Sequence, residues 1–224
     1  KSGDVSSGYR ESGYLAEAFV NFLALLGWNP GTEEEIFDMD GFIKAFSLER
    51  VGKSGSRFDH EKAKWFNHQY LIKKTNHELA LLFSPVLEAK GIKAEPDMIA
   101  SVCGLVKERV HFVEEIWDQA DFFFKAPESY DPKVAKKRWK ENTPALMESL
   151  YEILKDVNPF TAVNAEEKVK AWITEKELGM GAVMNAFRLC IVGTAKGPNM
   201  FDIIEILGKE ESLERLKKGI ESLS

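Results

Sequence analysis

The sequence predicts an all-α protein. Three observations carry that expectation. Apolar residues recur at three- and four-residue steps in one segment after another. Strand-like alternation is nearly absent. Helix punctuation (Asp or Asn before an apolar row, Gly or Pro after it) recurs along the chain. The 224 residues suffice for one large or two small domains, and 44% hydrophobic with 29% charged residues is an ordinary globular composition. The longest apolar run, Phe22 to Trp28, is far too short for a membrane span. No signal peptide is visible, and a start at Lys1 without methionine suggests a piece of something longer. Cys103 and Cys190, the two cysteines, sit inside apolar helical rows, which points to a reduced, cytoplasmic compartment.

Taken in order, Lys1 to Ser12 reads as a Gly- and Ser-rich loop. Tyr14 to Leu26 is an amphipathic helix stopped by Trp28-Asn29-Pro30-Gly31, and Asp38 caps a short helix to Phe46. A loop with Gly52-Lys53-Ser54 precedes a helix from His60 to about Leu71. Asn76 to Lys90 is helical and ends at Gly91. Pro96 opens what reads as the longest helix, to about Phe124. Ala126 to Pro132 carries turn residues and suggests a domain boundary. Lys133, Lys136, Lys137, Arg138 and Lys140 then form a basic run free of acids, either a solvated helix face or a phosphate-contacting patch. Helices at Leu146 to Leu154 and Ala165 to Leu178 follow, and Leu213, Leu216, Ile220 and Leu223 mark a final one.

The segment from Met180 to Gly208 reads as helix, tight loop, helix. Gly193 supplies a left-handed C-cap and Asn199 an N-cap. No acid occurs from Gly179 to Phe201, while Arg188 and Lys196 flank the loop and Met200, Phe201 and Asp202 open the second helix. Helix N-terminal amides, two cations and a solvent-facing ring would suit a single-stranded nucleic acid; an ordinary charged helical hairpin fits the same residues. On the long helix, projection at 100° per residue puts the apolar residues on an arc of roughly 160° with Arg109 near its middle. A guanidinium there needs a partner, either an internal carboxylate or a base edge or phosphate from outside.

Other chemistry is missing. The glycine pattern of a phosphate loop does not accompany Gly52-Lys53-Ser54, and no strand precedes it. His77-Glu78 lacks a second histidine at position 81, and neither cysteine has a partner at zinc-ligand spacing. No nucleophile sits in a recognisable elbow. A net charge of −6 leaves any nucleic-acid contact to local patches. The chain reads as a binding module, with no membrane contact.

Three separated stretches then carry a family resemblance: Ser6 to Gly31 (SSGYRESGYLAEAFVNFLALLGWNPG), Leu48 to Leu71 (LERVGKSGSRFDHEKAKWFNHQYL) and Phe187 to Leu216 (FRLCIVGTAKGPNMFDIIEILGKEESLERL). Together they resemble the C-terminal half of the bacterial glutamyl-tRNA synthetases, class I enzymes. The resemblance implies a stem-contact fold over residues 1–75 and a two-part helical anticodon-binding cage over 76–128 and 129–224. It implies tRNA-Glu as partner and a monomer. It also implies that a catalytic Rossmann domain, with the ATP and Mg sites, lies upstream of Lys1, so that this chain has no catalytic residue or cofactor of its own. Arg109 would be the reader of the third anticodon base. Arg188 and the loop residues Gly197, Pro198, Met200 and Phe201 would meet the first and second. Lys53 and Ser54 match a stem-contact loop, and Lys196 would add a phosphate contact. Where the family can carry threonine this chain has Gly197, so a hydroxyl contact is lost. The alternative from another class is a helical adaptor that binds proteins.

Overall fold

The computed structural model describes residues 8–53 and 55–224, and its described residues form an all-α fold of twelve helices. A single isolated bridge, Trp28 with Val51, is the only β-type pairing among them. Two compact units divide the chain between Gln119 and Ala120.

In the first unit, α1 (Ala16–Gly27) packs on α3 (His60–Lys73), burying Ala18 and Phe22 against Ala63 and Phe66. The helix α2 (Met39–Ala45) is capped by Asp38, whose carboxylate accepts from the Gly41 amide, as its sequence predicts. Phe42 of α2 joins Trp28 and Phe37 in a small aromatic cluster. The helices α4 (Asn76–Ala89) and α5 (Pro96–Val106) pair through Leu79, Phe83 and Leu87 on one side and Ile99, Val102 and Val106 on the other. Two buried asparagines cross-link the elements. Asn21 Oδ1 accepts from the Phe37 amide at 2.9 Å and the Tyr70 hydroxyl at 2.7 Å. Asn67 Oδ1 accepts from the Leu15 amide at 2.8 Å, while its Nδ2 donates to the His111 carbonyl.

The long helix expected from Pro96 to Phe124 is broken, which corrects the sequence reading. The helix α5 stops at Val106, a 3₁₀ turn spans Lys107–Arg109, Val110 is extended, and α6 (Glu115–Phe124) starts afresh. Side chains from elsewhere make the break. The carbonyls of Val110 and His111 are taken by His68 Nδ1 and Asn67 Nδ2 of α3. Glu115 accepts from the amides of His111 (2.7 Å) and Phe112 (3.3 Å), serving the backbone groups that a continuous helix would have satisfied internally. Arg109 therefore leaves the apolar arc and is exposed.

The second unit is built around α10 (Met180–Val192). Val183, Ala186, Phe187, Leu189, Cys190 and Ile191 are all fully buried, and from Leu189 to Val192 every residue is buried, while the first turn at Met180, Gly181 and Ala182 is exposed. Around it stand α7 (Pro132–Arg138), α8 (Thr143–Lys155), α9 (Ala162–Glu175) and α12 (Lys209–Leu223), with α11 (Met200–Leu207) held between α9 and α12. At Gly219 of α12 a Cβ would lie 2.6 Å from the Cβ of Cys190, so glycine sets how closely α10 and α12 approach. Burial pushes the thiols of Cys103 and Cys190 up to about 12, which leaves both as inert core groups.

Arg215 of α12 is 4% exposed. Its Nη1 donates to the carbonyls of Phe122 (2.5 Å) and Ile191 (3.3 Å), and its Nε to Glu211 at 2.6 Å. The guanidinium so ties α6, α10 and α12 together. Arg215→Met should lower the unfolding free energy by roughly 3 kcal/mol, because two buried carbonyls lose their donor. Glu211→Gln should cost less than about 1 kcal/mol, since that carboxylate is partly solvated. Urea denaturation checks both, and a loss under about 1 kcal/mol for Arg215→Met would show the carbonyls do not depend on it.

Candidate nucleic-acid interface

The loop between α10 and α11 is shaped by its backbone. Gly193 ends α10 at φ +80°, donating its amide to the Leu189 carbonyl at 2.8 Å. A Cβ there would meet Pro127 Cβ at 2.9 Å and the Ser129 carbonyl at 3.0 Å. The Gly193 carbonyl in turn accepts from the Asp131 amide at 2.9 Å, joining the loop's first residue to the start of α7. At the far end Asn199 Oδ1 accepts from the Phe201 amide at 2.8 Å, the N-cap expected from sequence.

Between these caps the cations divide. Arg188 is half-buried and donates Nη2 to the Pro198 carbonyl at 2.6 Å, so it braces the loop from inside. Lys196 is exposed beside Thr194, Ala195 and Asn199. Gly197 is held at φ +142°, a region that L side chains rarely adopt, and a Cβ would fall 2.7 Å from Arg188 Nη1. Glycine at 197 and the Arg188 brace thus fit one another.

Met200 and Phe201 correct an expectation. Their side chains are 3% and 4% exposed, so no ring faces solvent at this hinge. The reason is the apolar face that Met200, Phe201, Ile203 and Ile204 share, which α11 turns toward α9 and α12. The loop offers one outward cation, Lys196, and exposed backbone at Thr194 and Ala195, with no stacking platform at Phe201. Asp202, in the first turn, has its carboxyl pushed above the usual range by burial first and by Glu205 and Glu166 second.

The remaining expected residues lie in the first unit. Arg109 is exposed at the end of the Lys107–Arg109 turn, where α3 grips the two residues that follow it. Lys53 is exposed, and Ser54 lies outside the described residues. The neighbouring Gly52 amide donates to the Gly27 carbonyl at 2.8 Å, so that amide is not available to cradle a phosphate. The structure therefore gathers Arg188, Gly197, Pro198, Met200 and Phe201 at one hinge of the second unit. Sequence reasoning missed the positioning pair Asn67-His68 and the wall at Pro127 and Ser129. The sequence carried no clear signal for the pair, since Asn67 and His68 sit in a helix already rich in polar residues.

Comparisons with known proteins agree on a family. A family model described as an anticodon binding domain matches residues 72–220. A second, described as the catalytic domain of class I tRNA synthetases (E and Q), matches residues 3–65. The chain is 55% identical over 219 residues to a glutamate–tRNA ligase of Flavobacterium johnsoniae, covering 98% of this chain and 44% of that relative. It is 52% identical over 223 residues to one from Phocaeicola vulgatus, covering all of this chain and 44% of the relative. Among solved structures it is similar to a glutamate tRNA ligase from Elizabethkingia meningosepticum in complex with its amino acid, with TM-score 0.94 and 44% identity. A glutamate-tRNA synthetase from Elizabethkingia anophelis matches with TM-score 0.89 and 42% identity. The two alignments cover 100% and 98% of this chain but 44% and 43% of the others. The chain thus spans less than half the length of the relatives it matches.

Gly197→Thr should displace Arg188 from the Pro198 carbonyl and destabilise the second unit by about 1–3 kcal/mol, the scale of strain at a disallowed φ. Thermal melting gives the loss, and a variant as stable as the parent would show that the loop accommodates a side chain there.

Proposed function

The chain belongs to the family of anticodon-binding domains, and on that premise we propose that it is the tRNA-recognising part of a glutamate–tRNA ligase. In this reading it binds tRNA-Glu along the stem and at the anticodon. A catalytic Rossmann domain of the same polypeptide attaches glutamate with ATP. The observation that carries the reading is the α10–α11 hinge, where Arg188, Gly197 and Pro198 meet in one bonded unit inside the matched family segment. Residues to 75 form the stem-contact part, 76–128 and 129–224 the two anticodon-binding parts. The family matches, ending at 65 and resuming at 72, support the first of these boundaries.

The roles divide by chemistry. Arg109, with a planar fork of donors and an exposed position, reads the third anticodon base and marks the enzyme as selective for tRNA-Glu. Arg188 acts through the loop it braces, holding Gly197 and Pro198 in place where the first two bases are met. Met200 and Phe201 support that backbone from beneath. Lys196, Lys53 and Ser54 contact phosphate. ATP and Mg belong to the catalytic part of the parent. The protein acts in the cytoplasm as a monomer; no described helix is long and apolar enough to cross a membrane.

A second reading, a module that docks on protein, rests on one observation. Met39, Ile43, Phe46 and Leu48 form an exposed apolar row, with Ile43 at 70% and Leu48 at 76% exposure. If this row is the working surface, charged substitutions along it, and not at Arg109 or Arg188, abolish function.

In the intact ligase, Arg109→Gln should weaken discrimination at the third anticodon base by roughly 1–3 kcal/mol, the worth of a bidentate arginine–base contact. Comparing kcat/KM for tRNA-Glu and its third-base variant measures this, and an unchanged ratio removes Arg109 from the role. The isolated chain should show no glutamate-dependent ATP–pyrophosphate exchange while protecting the tRNA-Glu anticodon in footprinting. Exchange activity, or the absence of any protection, contradicts the assignment.

A further inference from the structure

We propose that the outer face of α7 is a second RNA-contact site, one that takes backbone phosphates beside the α10–α11 loop; the proposal rests on the tRNA reading above. Lys133, Lys136 and Lys137 stand at positions i, i+3 and i+4 of α7, which places them on one helix face, and all three are exposed. Lys140 follows just past the helix, its Nζ donating to the Lys136 carbonyl at 3.0 Å. Val134 and Ala135, on the opposite side, are half-buried.

Among the described residues no carboxylate neutralises this face. Six lysines outside this run, among them Lys62, Lys74 and Lys170, hold a carboxylate within 3.2 Å. Lys133, Lys136 and Lys137 make no ion pair among the described residues. Asp131, the one acid between Glu128 and Glu141, is committed to the backbone: its carboxylate accepts from the amides of Lys133 and Val134 at 2.8 and 3.1 Å. A protein of net charge −6 thus carries three unneutralised lysines on one face of a single short helix.

Position gives the strip its use. The Asp131 amide is bonded to the Gly193 carbonyl, and Gly193 opens the loop assigned to the anticodon. RNA held at that loop continues as a phosphate backbone, and α7 begins one hydrogen bond away. The ligand chemistry follows from the residue type. Lysine is a compact point charge without the planar fork that reads base edges, and Trp139, the aromatic of this segment, is half-buried. The strip therefore contributes affinity without base preference. Cations in the last turn also favour the helix dipole, but that effect concerns helix stability and leaves RNA binding unmoved.

The test uses this chain and a transcript of tRNA-Glu in filter binding between 50 and 200 mM KCl, with melting curves for every variant. Lys133→Gln, Lys136→Gln and Lys137→Gln combined should flatten the log–log salt dependence by about 2 to 3 and weaken binding on the order of tenfold at 100 mM. The corresponding triple arginine variant should restore both. A glutamine variant with parental affinity and slope overturns the α7 site while leaving the anticodon reading intact. Equal losses in the glutamine and arginine variants also overturn it, since charge would then not be the cause. A parent chain that binds no RNA overturns both readings together.

Discussion

The junction on which the second unit depends is the close approach of Gly193 to the segment before α7. No Cβ fits between Gly193 and Pro127 or the Ser129 carbonyl, and the left-handed φ at Gly193 needs glycine in any case. One residue thus ends α10, aims the loop and receives the Asp131 amide that starts α7. The loop's further course follows: Arg188, one and a half turns back on α10, can reach the Pro198 carbonyl only because the chain doubles over at this point. The shape of the loop is therefore a by-product of how a helix with a buried C-terminal end is made to stop.

The first unit solves a comparable problem with asparagine. Asn67 and His68 leave the polar side of α3 to grip the carbonyls of Val110 and His111, and Glu115 serves the amides there. A buried amide that satisfies one backbone donor and one backbone acceptor costs little and specifies a single geometry. It also carries Arg109 out of an apolar environment, where its charge would have been expensive, into solvent. Arg215 follows the opposite logic, remaining buried because three acceptors surround it.

What was legible in the sequence is what is decided locally. The caps at Asp38, Gly193 and Asn199 were readable because each bonds within its own turn. The all-α class was readable because periodicity recurs in every segment. The break after Val106 was not, since no Gly or Pro marks it and the side chains that make it lie some forty residues away on α3. Phe201 failed for a related reason. Periodicity shows that Met200, Phe201, Ile203 and Ile204 share a face, but not that α9 and α12 cover it. The resemblance supplied the residue set of the hinge, and only the coordinates distinguish a brace at Arg188 from an outward cation at Lys196.

An acidic protein that meets a polyanion must keep its positive charge local. At physiological ionic strength exposed charges are screened beyond about 8 Å, so a net charge of −6 spread over the surface does not prevent attraction at a concentrated cationic strip. Grouping sharpens the effect, because a neutralised pair such as Lys62–Glu35 projects little field while an unpaired row on one helix face projects all of its own. On the proposed reading the labour of recognition is also divided: unpaired lysines would contribute salt-sensitive affinity that is indifferent to sequence, whereas a loop held by Arg188 and a glycine at φ +142° would offer fixed backbone groups whose value depends on which base arrives. Discrimination needs the rigid element and affinity the flexible one. In this fold the two are joined at the single hydrogen bond between Asp131 and Gly193.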